Sequence, residues 1–317
     1  MNIKPLSFSS LKSVPMADRE FDSNGEDFGA PFKPGSSFGD FLCSMPNLGC
    51  AGDLFRLRDA IVSANRHKNM VILACGGHVF DSGLGPMICR LIEQKIVSGI
   101  VLTGAALLQD VEIAMSGRTT NAQNRELRDG SLCITEETGA LINEAINFGA
   151  VENLGIGQSV GKKLQDEKLE HLDHSVAATA YRYGVPVSVL PAIGADAFGL
   201  HPSAHGESIG ATGMIDFRLL AAMMAAASHG VVLNVASSVL LPRVLLQAAD
   251  AARNLGKTVE SITSAVIDPA ASATAISDVV AHLSRPDGQG YWLSGPDEIL
   301  LPLLFAAVLE AIGDDLP

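Results

Sequence analysis

The sequence feature that most constrains the fold is residues 71–115, in which two short apolar runs flank a helical pattern. Val71–Cys75 and Gly99–Thr103 are apolar runs with the length of buried strands. Between them, apolar residues recur at the i, i+3 and i+4 spacing of one helix face. A strand, a helix and a strand with short joints predict a parallel βαβ unit.

The same alternation of strand and helix patterns continues to the end of the chain. It predicts an α/β fold, a Rossmann-like mostly parallel sheet with helices on both faces. Residues 51–317 are assigned to this fold, although the length of 317 residues leaves one domain or two open. The further strands are predicted at 185–190, 230–235, 259–267 and 291–293, and the further helices at 53–67, 109–115, 135–146, 175–183, 217–228, 240–255, 272–282 and 299–312.

Residues 1–50 have a different composition, rich in Gly, Pro, Ser and Phe. Such a composition predicts an extended arm with little helix of its own. Its phenylalanines indicate docking on a surface, either that of its own domain, which we favour, or that of a neighbouring subunit. These phenylalanines are Phe28, Phe32, Phe38 and Phe41.

Charge and hydropathy exclude several classes of function. The net charge of −13 disfavours unassisted binding of nucleic acid and favours cationic ligands. No uninterrupted apolar run has the length of a membrane span, and the first residues lack a secretory pattern, so we expect a cytoplasmic protein without a membrane partner. The five cysteines form no C-x-x-C pair, which predicts reduced thiols.

Small and acidic residues lie where the first two strands end, the edge at which open α/β sheets bind ligands. Residues 79–114, with their Ser-Gly, Thr-Gly-Ala and acidic positions, resemble the deoxyhypusine synthase family, and more closely its bacterial synthase-like branch. The resemblance extends over most of residues 50–312. It implies an NAD pocket, whereas tight turns and helix capping are the alternative explanation. The cofactor residues so predicted are Asp81, Ser82, Gly83, Thr103, Gly104, Ala105, Asp110, Glu112 and Asp268.

A second glycine-rich segment, residues 155–161, looks like a dinucleotide-binding loop. Its spacing is G-x-G-x-x-x-G, and no strand pattern precedes it. It is therefore a weak phosphate-binding signal.

The chain departs from the family where the resemblance implies polyamine chemistry. The family's substrate loop matches residues 201–213, where His205 and Ala211 replace two acidic residues. The family forms an imine on a lysine near its C-terminus, whereas this chain has no lysine after Lys257, and the matching segment contains Arg285. Because arginine cannot form an imine, the covalent step is not available by that route.

The leading hypothesis is an NAD-dependent enzyme that abstracts a hydride from a small, polyamine-like amine. The family resemblance further implies a homotetramer. This hypothesis assigns no metal; the alternatives are a metal-dependent hydrolase that uses His171, His174, His201 and His205, and a non-catalytic NAD-binding protein. The residues predicted to be catalytic are His201, His205, Asn234 and Ser237.

Overall fold

The computed structural model of the chain describes residues 3–119 and 135–313. Their strands form one six-stranded sheet in the order β3-β2-β1-β4-β5-β6, and every neighbouring pair is parallel. The predicted α/β, Rossmann-like fold is therefore confirmed. The strands are β1 (Val71–Cys75), β2 (Gly99–Thr103), β3 (Val187–Leu190), β4 (Val231–Val235), β5 (Thr263–Ile267) and β6 (Gln289–Leu293).

Helices cover both faces of this sheet and divide the core into two apolar clusters. One cluster packs α2 to α8 and α12 against one face, and the other packs α9, α10 and α11 against the opposite face. The helices are α1 (Phe38–Ser44), α2 (Gly49–Arg66), α3 (His78–Asp81), α4 (Gly85–Glu93), α5 (Gly104–Ser116), α6 (Glu136–Glu152), α7 (Ile156–Glu167), α8 (Val176–Tyr183), α9 (Gly206–Ala226), α10 (Leu241–Asn254), α11 (Ala273–Ala275, continued by a π-helical stretch, Ile276–Leu283) and α12 (Asp297–Ile312).

The central strands are buried along their whole length, which explains their uninterrupted apolar sequences. β1 lies between β2 and β4, with Leu73 opposite both Ile100 and Leu233. Side chains alternate between the two core clusters along each strand, as strand geometry requires.

Two segments that the sequence predicted to be irregular are helical. α9 begins at Gly206 rather than at 217, and α7 occupies most of the glycine-rich segment 155–161. Burial overrides the low helix propensity of glycine here, because Ile209 in α9 and Ile156 in α7 pack in the core. The segment that matches the family's substrate loop in sequence, residues 201–213, is therefore helical from Gly206 onwards.

Among the described helices, α9 has the length and apolar composition of a membrane span. Its inner face is buried against β3, α6 and α10, and it contains the buried Asp216 and the exposed Arg218. These features are those of a core helix in a parallel-sheet protein.

The N-terminal arm makes less contact with its own domain than expected. Leu42 of α1 is buried, and α1 contacts α12. In contrast, Phe28, Phe32 and Phe38 remain exposed, so the prediction that these three rings dock on their own domain is wrong, whereas Phe41 is half-buried and contacts Phe32 and Phe38. The arm before residue 38 forms short 3-10 turns, and two backbone hydrogen bonds join it to residues 44–47: the Ala30 amide donates to the Ser44 carbonyl, and the Asn47 amide donates to the Asp27 carbonyl.

Candidate functional site

The strand order reverses between β1 and β4, because the chain leaves β1 towards β2 on one side and β4 pairs with its other side. In open α/β sheets a ligand-binding crevice forms at the carboxyl ends of such a strand pair. The loops that follow β1 and β4 meet there: a side chain at Gly76 would overlap the Ala236 carbonyl oxygen. Ala236 itself has a positive φ of 48°. We call this place the β1–β4 crevice.

His78 and Asp297 form a hydrogen-bonded pair beside this crevice. The Nδ1 atom of His78 lies 3.0 Å from Oδ1 of Asp297 and 3.1 Å from the Ser82 hydroxyl. Asp297 is only 2% exposed, whereas over half of the His78 side chain is exposed. Since both partners of His78 contact the same ring nitrogen, this is not the relay arrangement of a Ser-His-Asp triad.

Asp81 follows on the same loop and is held by the side chains of α5 and the segment after it. Its Oδ1 accepts hydrogen bonds from Gln109 Nε2 at 2.7 Å and from the Thr119 hydroxyl at 3.4 Å. Partial burial raises the pKa of Asp81, and these two hydrogen bonds and nearby His78 oppose the rise. Gly83 beside it has a φ of 76° and open space where a side chain would lie. Gly83 is therefore a position where a ligand can approach the backbone.

The ends of β4 and β5 form the other wall of the crevice. Asn234 is fully buried in β4; its Nδ2 donates to the Ser237 carbonyl at 2.7 Å, and its Oδ1 has no hydrogen-bond partner. Asp268 accepts from the Ser238 hydroxyl at 2.7 Å and from the Ala270 amide at 2.8 Å. Asn234 therefore shapes the turn after β4, and the half-buried Asp268 faces the same edge of the sheet.

The end of β2 is closed, in contrast to what the sequence predicted for Thr103, Gly104 and Ala105. Thr103 caps α5, since its hydroxyl accepts the Ala106 amide at 3.1 Å. The carboxylate of Asp196 fills the space beside Gly104 and accepts the Ala105 amide. The glycine thus admits an internal carboxylate to the helix N-terminus, where a cofactor phosphate would otherwise bind.

Asp110 also has an internal role. It is fully buried, and its carboxylate accepts the Ser175 hydroxyl at 2.7 Å and the Val176 and Ala177 amides at 2.6 and 3.0 Å. These donors belong to the start of α8, so Asp110 caps a neighbouring helix and not its own. Burial raises its pKa to about 6, against the lowering effect of these donors. The geometry removes Asp110 from the cofactor set.

Glu112, the remaining acidic residue that was predicted to bind the cofactor, lies on α5 and is 8% exposed. It lines a groove with Arg118 and Thr138, roughly two and a half helix turns beyond the end of β2. Its place in the cofactor set stays a prediction.

The position of the Asp216 carboxylate explains why glycines occur at the start of α7. Its Oδ2 accepts the Gly157 amide at 3.0 Å and the Val189 amide at 2.9 Å. A side chain at Gly155 would overlap the Asp216 carboxylate. Burial raises the pKa of Asp216 to about 7, although three backbone donors oppose the rise. This segment serves an internal carboxylate, which confirms that its resemblance to a dinucleotide loop is superficial.

The four residues predicted to be catalytic separate into two pairs. His201 and His205 follow β3, whereas Asn234 and Ser237 belong to the end of β4, three strand positions away. At a spacing of about 4.8 Å per strand, the two strand ends are roughly 14 Å apart. His201 bonds to the Ser203 hydroxyl at 2.7 Å, and His205 is exposed before α9. Asn234 and Ser237 are therefore the pair that adjoins the β1–β4 crevice.

The predicted metal cluster of four histidines is not assembled. His171 and His174 stack on each other at 6.1 Å beside α8, away from the β3 loop that carries the other two. Within residues 3–119 and 135–313, the ligand atoms of one other set, His78, Asp297 and Glu298, lie within 4.8 Å of one another. The hypothesis of a hydrolase built on the four histidines is wrong, because sequence proximity did not bring the two pairs to one place.

The charge of the strand-end loops follows from their sequences. The loops at 76–84, 191–205, 236–240, 268–272 and 294–296 contain no lysine or arginine. All nine lysines of the sequence are described, and none lies in these loops. These loops therefore carry carboxylates without lysine or arginine, and they offer no lysine for an imine.

Sequence reasoning missed His78, Asp297, Gln109 and Asp196. The first of these had a usable signal, since a Gly-Gly-His sequence directly follows the first strand. Asp297 had no such signal in the sequence, because 219 residues separate it from His78. An acidic residue at the start of α12 is also an ordinary feature of a helix.

Comparison with known proteins finds similarity in structure only. No protein-family model and no curated protein matches the chain. Its solved relatives include a candidate deoxyhypusine synthase from Entamoeba histolytica (16% identity, TM-score 0.55), with 88% of this chain and 95% of that one covered. A candidate LOR/SDH protein from Methanococcus maripaludis S2 has 15% identity and a TM-score of 0.50, with 82% and 67% covered.

A further relative is AgrE, solved in a ternary complex with ornithine and NAD⁺, at 14% identity and a TM-score of 0.57. The alignment covers 83% of this chain but 33% of AgrE, so the chain spans about a third of that protein's length. At these identities the likeness concerns the fold. The resemblance predicted from the sequence is thereby confirmed at that level: the chain has the fold of a deoxyhypusine synthase-like protein.

Proposed function

We propose that this protein is an NAD-dependent enzyme that removes a hydride from a small amine or amino acid bound at the β1–β4 crevice. The carrying observation is the reversal of strand order between β1 and β4 in a six-stranded parallel sheet, because open α/β sheets bind ligands at such a point. The NAD⁺ complex of AgrE supports the same cofactor for a chain of this fold.

The residues of the crevice suit part of a dinucleotide. Gly83 leaves room for close approach, Ser82 and Ser237 supply hydroxyl groups, and Asp268 supplies a carboxylate of the kind that binds ribose hydroxyls. Ala105 and Gly104 are left out, because Asp196 already takes that helix N-terminus. When bound, NAD⁺ supplies a hydride acceptor, while the protein orients the substrate.

The acidic surroundings determine the class of substrate. Asp81 lies at this edge of the sheet, and the loops after β1, β4 and β5 contain no lysine or arginine. Carboxylates attract and orient an ammonium group. We therefore propose a substrate with one ammonium group near the carbon that loses the hydride. A polyamine is disfavoured, since His205 and Ala211 stand where the family's substrate loop has two acidic residues.

Transfer to a lysine of this chain is not part of the proposed reaction. Imine formation needs an amine, and none of the nine lysines lies in a strand-end loop. Dehydrogenation of the amine is the simplest reaction that remains. Its products are an imine, a proton and the reduced cofactor.

We further propose that the chain forms a homo-oligomer through its arm. Phe28 and Phe32 are more than half exposed, although the Phe32 ring contacts Phe41 edge-on, with 6.1 Å between the ring centroids. Exposed aromatic rings at this density are typical of interaction surfaces. A tetramer is the state that the family resemblance implies.

The test of the proposed function is NADH formation with a panel of small amines and amino acids, ornithine and arginine included. We expect Ser237→Ala and Asp268→Asn to lower kcat/KM at least tenfold, because both residues adjoin the crevice. Asp250→Asn is the matched control, since Asp250 is an exposed carboxylate that pairs with Arg253 on α10.

NAD⁺ binding without NADH formation from any panel member would contradict the enzymatic proposal and favour the non-catalytic alternative. Equal loss of activity in Asp250→Asn and Asp268→Asn would contradict the assignment of the site.

A further inference from the structure

We propose that His78, Asp297 and Glu298 form a binding site for a divalent metal ion at the end of β1. One nitrogen and two carboxylate oxygens of these residues lie within 4.8 Å of one another. The residues come from the loop after β1 and the start of α12, so the fold brings together ligands that are far apart in sequence. The site does not depend on the proposed reaction.

The one distance between two ligand atoms suits a hard divalent ion. His78 Nδ1 and Asp297 Oδ1 are 3.0 Å apart. Neighbouring ligands at about 2.05 Å from an octahedral ion are separated by about 2.9 Å, while tetrahedral zinc needs about 3.3 Å. A nitrogen with two carboxylates is a donor set that manganese accepts, and it leaves positions open for a ligand.

A second observation concerns Asp297 alone. This residue is 2% exposed, and its Oδ2 is buried without a hydrogen-bond partner in the part of the chain that the structure describes. Native structures rarely leave a buried charged oxygen without a partner, because its desolvation is costly. A cation bound by this carboxylate would compensate for that cost.

The competing explanation is the dipole of α12. Asp297 and Glu298 occupy its first turn, where negative side chains are favoured without any ion. That explanation accounts for the two acids, and a hydrogen bond accounts for the approach of His78, but neither accounts for the unpartnered Oδ2. The two explanations differ in a measurable way, because a dipole alone creates no saturable affinity for metal.

The proposed ion would also change the charge of the crevice. The loops after β1, β4, β5 and β6 contain no lysine or arginine. A divalent ion there would attract carboxylate or phosphate groups of a ligand, which the bare carboxylates repel.

The test is Mn²⁺ binding to the full chain after treatment with a chelator, followed by the electron paramagnetic resonance signal of free Mn²⁺. We expect one saturable site per chain. His78→Ala and Glu298→Gln should each weaken binding at least tenfold, because each removes one of three protein ligands. Circular dichroism verifies that both variants are folded. Asp297 is left intact, since its burial makes a substitution there a risk to folding.

Two control variants match the two test variants. Glu207→Gln removes an exposed first-turn acid from α9, and His229→Asn removes an exposed histidine whose ring lies 3.9 Å from Glu260. Both should bind Mn²⁺ as the wild type does. Absence of saturable binding, or equal affinity in His78→Ala and the wild type, would overturn the proposal, whether or not NAD⁺ binds.

Discussion

The two halves of the sheet differ in what lies at their strand ends and at the N-termini of their helices. In the half formed by β2 and β3, internal carboxylates occupy the starts of α5, α8 and α7; these are Asp196, Asp110 and Asp216. We call this the sealed half. In the half formed by β1, β4, β5 and β6, the strand-end residues His78, Ser82 and Asp268 are partly exposed. We call this the open half.

The comparison shows that a glycine at a helix start has two explanations. Gly104 and Gly155 lack side chains because aspartate carboxylates fill that space. Gly83 has open space beside it instead. The same residue type thus marks a filled anion site in one half and an accessible backbone in the other.

The largest expected effect in the sealed half is that of Asp110→Ala. It leaves the Ser175 hydroxyl and two amides of α8 without an acceptor in a buried place. We expect the free energy of unfolding to fall by about 3 kcal/mol, measured by urea denaturation. Asp173→Ala, at an exposed carboxylate near the same helix, should change it by less than about 0.5 kcal/mol. Equal effects would contradict the capping role.

Gly104→Ala, with Gly210→Ala as its control, tests whether the Asp196 carboxylate fills the space beside Gly104. The first places a methyl group on the Asp196 carboxylate and should cost about 2 kcal/mol. The second lies in α9 with open space around it, and we expect stabilisation of about 0.5 kcal/mol, because alanine favours helix. Thermal unfolding of the pair measures the difference; two neutral substitutions would show that the α5 N-terminus is not sealed.

Asp216 predicts a pH dependence of stability. Burial raises the pKa of Asp216 to about 7 in the folded state. The stability that protonated Asp216 contributes is therefore fully present below its pKa in the unfolded chain, and it is lost as the pH rises through about 7. Asp216→Asn removes this titration. The wild type should therefore lose stability relative to the variant between about pH 5 and about pH 8. A constant difference between the two unfolding midpoints over this range would contradict a raised pKa.

The smallest effect on stability is expected in the open half. Asp81 is half-buried, and within residues 3–119 and 135–313 its hydrogen bonds join it to Gln109 and Thr119. Asp81→Ala should lower the free energy of unfolding by less than about 1 kcal/mol in urea denaturation. A cost equal to that of Asp110→Ala would place Asp81 among the structural carboxylates.

The sequence predicts the sheet well because buried parallel strands are uninterrupted apolar runs of limited length. Val71–Cys75 and Val231–Val235 are strands with the predicted character, and their burial on both faces explains why. The start of α9 was not predicted, because tertiary packing of Ile209 overrides the glycines around it.

The candidate site could be predicted only where its residues adjoin in sequence. Ser82 and Gly83 follow β1 in the chain, and their role in binding a cofactor stays a prediction. The partner of His78 on α12 and the carboxylate that fills the space beside Gly104 come from distant segments. A residue pattern does not determine whether a helix N-terminus faces solvent or an internal aspartate, since that depends on packing between elements.

The most direct test of the open half as the cofactor site is calorimetric titration of NAD⁺ into the wild type, Ser82→Trp and Ile193→Trp. Ser82 lies at the end of β1, and Ile193 is an exposed residue after β3, in the sealed half. We predict micromolar binding at one site per chain, at least tenfold weaker in Ser82→Trp and unchanged in Ile193→Trp. Absence of binding to the wild type, or loss in Ile193→Trp alone, would contradict the account.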